Sequence, residues 1–135
     1  MGFCEDLATL FAEQGVVATE NDVFIGLSAL MPDGDGPYLV VVETSGTGPE
    51  YRQDVAGPSM EMPGAQVVAR GMDRAGARAL AWSAWTAASQ VRNRTIGSTW
   101  YRSVNVVQSP FELGLDATGR RARFVFNVMA DKKPS

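Results

Sequence analysis

The sequence predicts an α+β fold in a single domain, and three observations support it. Apolar residues recur at helical spacing near the start of the chain and again past its middle. Five other runs are strand-like, and no internal repeat or boundary divides the 135 residues. A chain of this length buries a real core without staples.

Residues 2–14 place Phe3, Cys4, Leu7, Leu10, Phe11 and Gln14 on one helical stripe, with Glu5, Thr9, Ala12 and Glu13 opposite. Gly15 suits the stop. The runs "DVFIGL" (22–27) and "YLVVVET" (38–44) read as strands, and "MPDGDGP" between them is dense in turn formers, so a hairpin is expected. From 46 to 64 the composition shifts to Gly, Pro, Ser and Met with acids and no clear period. That stretch is expected to be a long loop or a loosely paired extended arm. "AQVVARG" (65–71) is a further strand, and Asp73 is the candidate N-cap of a second helix reaching about Val91. On it Ala77, Leu80, Ala81, Ala84, Ala88 and Val91 should face the sheet, their small side chains allowing close approach. Trp85 flanks this stripe. Trp82 lies well off it, which fits either cover by a neighbouring loop or a contact between subunits, where Trp is enriched.

"TWYRSVNVVQSP" (99–110) and "RRARFVFNVMAD" (120–131) complete the strands. In the second, Ala122, Phe124, Phe126 and Val128 alternate with Arg123, Val125 and Asn127, so one face is packed. "FELGLDATG" reads as a link with Asp116 and Gly119 suited to a turn, and 131–135 as a short polar tail expected to fray.

Little in the chain resembles a reaction centre. Gly46, Thr47 and Gly48 follow an apolar strand as in a phosphate-binding loop. Pro49, Glu50 and Tyr51 then stand where a Lys and a helix start are needed, and Glu43 and Glu50 add negative charge, so a plain loop is the reading. Cys4 is the only cysteine and histidine is absent, which removes an internal disulfide and the commonest zinc ligand and proton carrier. Cys4 reads as an apolar residue of the first helix. Asp33, Asp35, Glu50, Asp54, Glu61, Glu112 and Asp116 are scattered singly, and "DGDG" at Asp33 lacks the alternate-position oxygens of a calcium loop. Ser45, Ser59 and Ser109 have no histidine partner, and "NRT" at Asn93 lacks a secretory context. No catalytic, cofactor-binding or metal-ligating residues are assigned.

The net charge of −3 and a pI of about 4.9 argue against general or sequence-specific nucleic-acid binding. No apolar run approaches the roughly 18 residues of a membrane span, and the acidic start "MGFCEDLATLF" lacks the basic residues of a secretory signal; a cytoplasmic location is expected. Basic charge is nearly all Arg, with Lys132 and Lys133 the only lysines, and Arg suits planar pairing with carboxylates at interfaces. Arg120, Arg121 and Arg123 form the densest basic cluster and read as a solvated or carboxylate-paired strand.

Several motifs, in their order and spacing, resemble the tail terminator proteins of long-tailed bacteriophages, a group also labelled minor capsid or tail completion proteins. They are the N-terminal helix, "NDVFIGLSALMPD", "VVVETSGTGPE", "AQVVARGMDRAGARALAWSAW" and "YRSVNVVQSPFELGLDATGRRARFVFNVMA". The resemblance covers nearly the whole chain. It implies a mixed, mostly antiparallel sheet packed by two helices, and six copies in a ring. Such a ring caps the head-proximal end of the tail tube in the virion, stops polymerisation and meets the neck. The implied partners are further copies of the chain, the tail tube protein and a head-neck connector protein, with assembly in the host cytoplasm. A heterologous contact that closes after a fixed rotation makes a ring without demanding chemistry.

For such a ring the candidate interface residues are Arg120 and Arg121 near the last turn, Arg70 at the entry to the second helix, and Trp82, with Glu50, Arg52 and Asp54 on the long loop. Arg70 has the alternative role of capping its local turn. Two other classes share the sequence features: a neck or head-closure component, and a small α+β enzyme using the scattered carboxylates.

Overall fold

A computed structural model describes residues 2–26, 37–51, 58–115 and 121–134, with side chains described outside 45–51 and 58–59. They form α1 (Phe3–Glu13), a one-turn 3₁₀ helix (Glu20–Asp22), β1 (Val23–Ile25), β2 (Tyr38–Tyr51), β3 (Pro58–Gly71), α2 (Arg74–Ser89), β4 (Arg92–Ile96), β5 (Thr99–Val106), β6 (Phe111–Leu115) and β7 (Ala122–Lys132). The strands run β1-β2-β3-β7-β5-β4, with β6 beside β7 on the same edge that β5 occupies further along. Among the described residues only the β1–β2 pair is parallel, so the sheet is mixed and mostly antiparallel, with two helices packed on it.

The stripe on α1 buries Phe3, Cys4, Leu7, Leu10 and Phe11 against the sheet. The helix stops at Gly15, whose φ of +73° favours glycine. Gly15 N–H donates to the Ala12 carbonyl (3.2 Å) and Val16 N–H to that of Phe11 (2.9 Å), the paired bonds of a Schellman ending. In α2 the expected stripe is buried, and Asp73 is the N-cap: its Oδ1 accepts from Gly76 N–H at 2.7 Å. Asp73→Ala should cost about 1 kcal/mol, read as a lower urea midpoint with an unchanged slope.

Alternation along the strands sets the two faces. Leu39, Val41, Val67, Ala69, Phe124, Phe126 and Val128 point to the helices and join the main core. Val40, Val68 and Val125 are buried on the other face, with Phe24 and Val42 against them. The last strand is thus packed on both faces around Val125, where alternation alone had suggested one.

Several expectations are revised. The "DVFIGL" and "YLVVVET" strands are not a hairpin: they pair in parallel, Val23 with Leu39 and Ile25 with Val41. Turn-forming composition specifies a bend but not the direction in which the next strand enters, and a connection of this length can carry the chain back. The turn at Asp33 and Asp35 lies outside the described residues. The stretch from 46 to 64 carries ladder pairs, Thr47 with Met62, Glu50 with Met60 and Tyr51 with Pro58, with register shifts between them. "RNRTI" is a strand, β4, which the sequence reading missed, and "FELGL", read as a link, is β6. At the other end, Asp131 and Lys132 belong to β7 rather than to a polar tail. Lys132 is held there by Glu61, its Nζ 3.0 Å from Oε2.

Candidate assembly surfaces

The residues singled out from sequence do not form one site. Register places Arg70 opposite Arg123 and Gly71 opposite Ala122, so Arg70, Arg121 and Arg123 cluster at one end of the β3–β7 ladder. Arg70 is buried, its guanidinium 5.0 Å from the centre of the Tyr38 ring, and Arg121 is buried as well. Both therefore sit inside the protomer. A planar cation stacked on an aromatic ring packs well, which sequence spacing cannot reveal. Arg120, Arg52 and Asp54 lie outside the described residues. Glu50 pairs with Met60 through the backbone, and its side chain lies outside them too.

Trp82 belongs to the opposite layer. It is half-buried on α2, its ring 5.2 Å from that of Trp85 and 5.8 Å from the Arg78 guanidinium. It borders an open groove of about 440 Å³ between α2 and the end of α1, alongside Gln14, Gly15, Val16, Thr86 and Gln90. Trp85 instead packs on the core and donates from Nε1 to the Gln108 carbonyl at 3.0 Å.

The surface that the sequence reading missed is β6. Phe111, Leu113 and Leu115 are all exposed, as are Val107 just before the strand and Met72 beyond β3. Because Gly71 faces Ala122 and Ala122 faces Leu115, Met72 follows the sheet to the same end. A signal was present: apolar residues at i, i+2 and i+4 in "FELGL" are strand alternation, although a register shift between Glu112 and Gly114 turns Phe111, opposite Val125, and Leu115, opposite Ala122, to different faces. Glu112, Gly114 and the nearby turn formers masked it.

Most of the described carboxylates serve structure. Glu112 pairs with Arg74 at 2.7 Å, Glu13 with Arg94 at 2.7 Å, Asp131 with Arg102 at 3.0 Å and Glu61 with Lys132. Asp6 is buried under α1 and accepts from the Tyr101 hydroxyl at 2.6 Å. Burial raises its pKa, with Tyr101 and Lys132 working against the rise. The Cys4 thiol is pushed up to about 11, first by burial and then by Glu5 and Glu43, so it is an unreactive core group. Among the described residues no three His, Cys, Asp or Glu side chains gather as a metal site, and no helix is long and apolar enough to cross a membrane.

A family model described as "Bacteriophage tail terminator protein" matches residues 11–126. The chain belongs to the bacteriophage tail terminator family. The match runs from inside α1 into β7 and so takes in β6, Trp82 and the β2–β3 ladder. As a tail terminator family member, the protein has a structural role in the phage tail and is a component of the virion tail. A comparison with curated proteins finds no match.

Proposed function

We propose that copies of this tail terminator, six to a ring, cap the head-proximal end of the tail tube, end its polymerisation and present the surface on which the head is joined. Assembly takes place in the host cytoplasm, with the tail tube protein on one side of the ring and a connector protein on the other. One observation carries the reading. Of the six large apolar side chains exposed among the described residues, five lie along and beside β6, over both faces of that edge: Met72, Val107, Phe111, Leu113 and Leu115. Apolar surface concentrated in this way on a soluble domain marks a contact with another protein. The pairing of Glu13, Glu61, Glu112 and Asp131 with basic side chains also favours an assembly role over hydrolytic chemistry.

The test is electron microscopy of lysates from the encoding phage with this gene deleted. Overlong tubes without heads are the expected result. Tails of normal length beside unjoined heads would move the protein to the neck, and intact infectious particles would overturn the structural reading.

A further inference from the structure

Charge is divided along this chain. Residues 1–51 hold nine acids and no Lys or Arg, whereas 52–135 hold all twelve basic residues against six acids. The acidic part builds α1, β1 and β2, and the basic part builds β3 and everything on the β7 side. Helix α1 crosses the sheet, with Asp6 bonded to Tyr101 on β5 and Glu13 paired with Arg94 on β4, so the acids at the β1 end are Glu5, Glu20, Asp22 and Glu43. At the β1 end Ile25 is exposed at 41%, and it shares an opening of about 210 Å³ with Glu5, Glu43 and Gly26. Exposed Glu20 and half-buried Asp22 lead into the strand. The upward push of Glu5 and Glu43 on the Cys4 thiol reflects the negative field there. At the β6 end the exposed apolar side chains, Phe111 on one face and Leu115 on the other, lie beside Arg123 and the Arg74–Glu112 ion pair.

Among the described residues β1 pairs only with β2, and β6 only with β7. Each leaves one side of its backbone without a strand neighbour, which is a template for pairing. We propose that the β6 edge of one copy docks on the β1 edge of the next, extending the sheet from subunit to subunit with Phe111, Leu113 and Leu115 covered at the contact. The occupant is a second copy in head-to-tail orientation because of charge. Two β6 edges face to face would oppose Arg123 with itself, Arg74 being paired with Glu112 of β6, and two β1 edges would oppose Glu5 and Glu43 with themselves. Only the unlike contact joins the acidic end to the basic one. Burial of these apolar side chains on both faces of the edge supplies the affinity and charge sets the direction. A contact between two different surfaces repeats from copy to copy and closes into a ring when its rotation allows.

This inference rests on the ring reading above, and the experiment separates the two. Two full-length variants are made, Ile25→Asp to block the β1 edge and Leu113→Asp to block the β6 edge. Mass photometry, with the tail tube protein present wherever the wild type needs it as template, reads assembly. Each variant alone should stay monomeric with a melting temperature near that of wild type; mixed, they should give one-to-one heterodimers and nothing larger, since each pair retains a single intact unlike contact. If Leu113→Asp melts early, Leu115→Glu on the same edge replaces it. Variants that still form rings would overturn this interface and leave the ring reading standing. Self-association of Ile25→Asp alone, without heterodimers, would replace the unlike contact with a β6–β6 one. A wild type that stays monomeric even with tube protein would overturn both.

Discussion

Gly71→Ala lowers the melting temperature by roughly 10 °C, the effect of losing about 3 kcal/mol to overpacking. Gly71 ends β3 where the chain passes beneath the first turn of α2. A Cβ there would stand 2.5 Å from the Ala77 nitrogen, 2.9 Å from its Cα and 3.0 Å from the Gly76 carbonyl carbon. All three are backbone atoms of a capped helix and cannot rotate away as a side-chain tip would. To make room, α2 has to lift from the sheet, and the contacts of Ala77 and Ala81, both fully buried, loosen with it. The sign makes the test decisive. Where no clash exists, Gly→Ala usually stabilises by about 0.4–1 kcal/mol, because alanine restricts the unfolded chain. An unchanged or raised melting temperature would show that the close approach of helix and strand does not constrain the fold.

Asp6→Ala lowers stability by about 1–3 kcal/mol, the cost of leaving a buried hydroxyl without its acceptor. Tyr101 is fully buried, its ring 6.0 Å from that of Phe3, and its hydroxyl donates to Asp6 Oδ2. Asp6→Asn keeps an acceptor in the same place and should be far milder, so the pair of variants separates loss of the hydrogen bond from loss of the charge. Burial raises the pKa of Asp6 in the folded protein, so folding favours its protonated form. The stability tied to that proton is fully present below the ordinary carboxylate pKa and is lost as pH rises through the raised one. Across that window the difference between wild type and Asp6→Asn should therefore move in favour of the variant. Denaturant midpoints at several pH values measure it. A difference that stays flat, or moves the other way, would mean that Asp6 is not desolvated.

Much of the fold is legible in the sequence, where a local rule and the tertiary environment ask for the same residue. The α1 stripe ending at Gly15, the Asp73 cap with the alanine face of α2, and the alternating core of β7 are of that kind. Strand direction is not, since "MPDGDGP" signals a bend while the parallel entry of β2 beside β1 depends on what the rest of the sheet leaves open. The candidate site was less legible still. Arg70 and Arg121 have the composition of surface contacts, but the register of β3 on β7 and the Tyr38 ring bury Arg70 within the protomer, and Arg121 is buried at the start of β7. The apolar edge on β6 was hidden by the glutamate and glycine inside its own alternation.

By itself, then, the sequence determined the class of fold, the two helical faces and their caps, and the resemblance to tail terminators, because helix periodicity, capping and β alternation act over a few residues. Only the tertiary structure decided which edges lack a strand neighbour among the described residues, which arginines are buried, and that Glu5 and Glu43 meet beside the exposed Ile25 at the β1 edge. Those outcomes depend on pairing between segments far apart in the chain, and no local pattern carries that information.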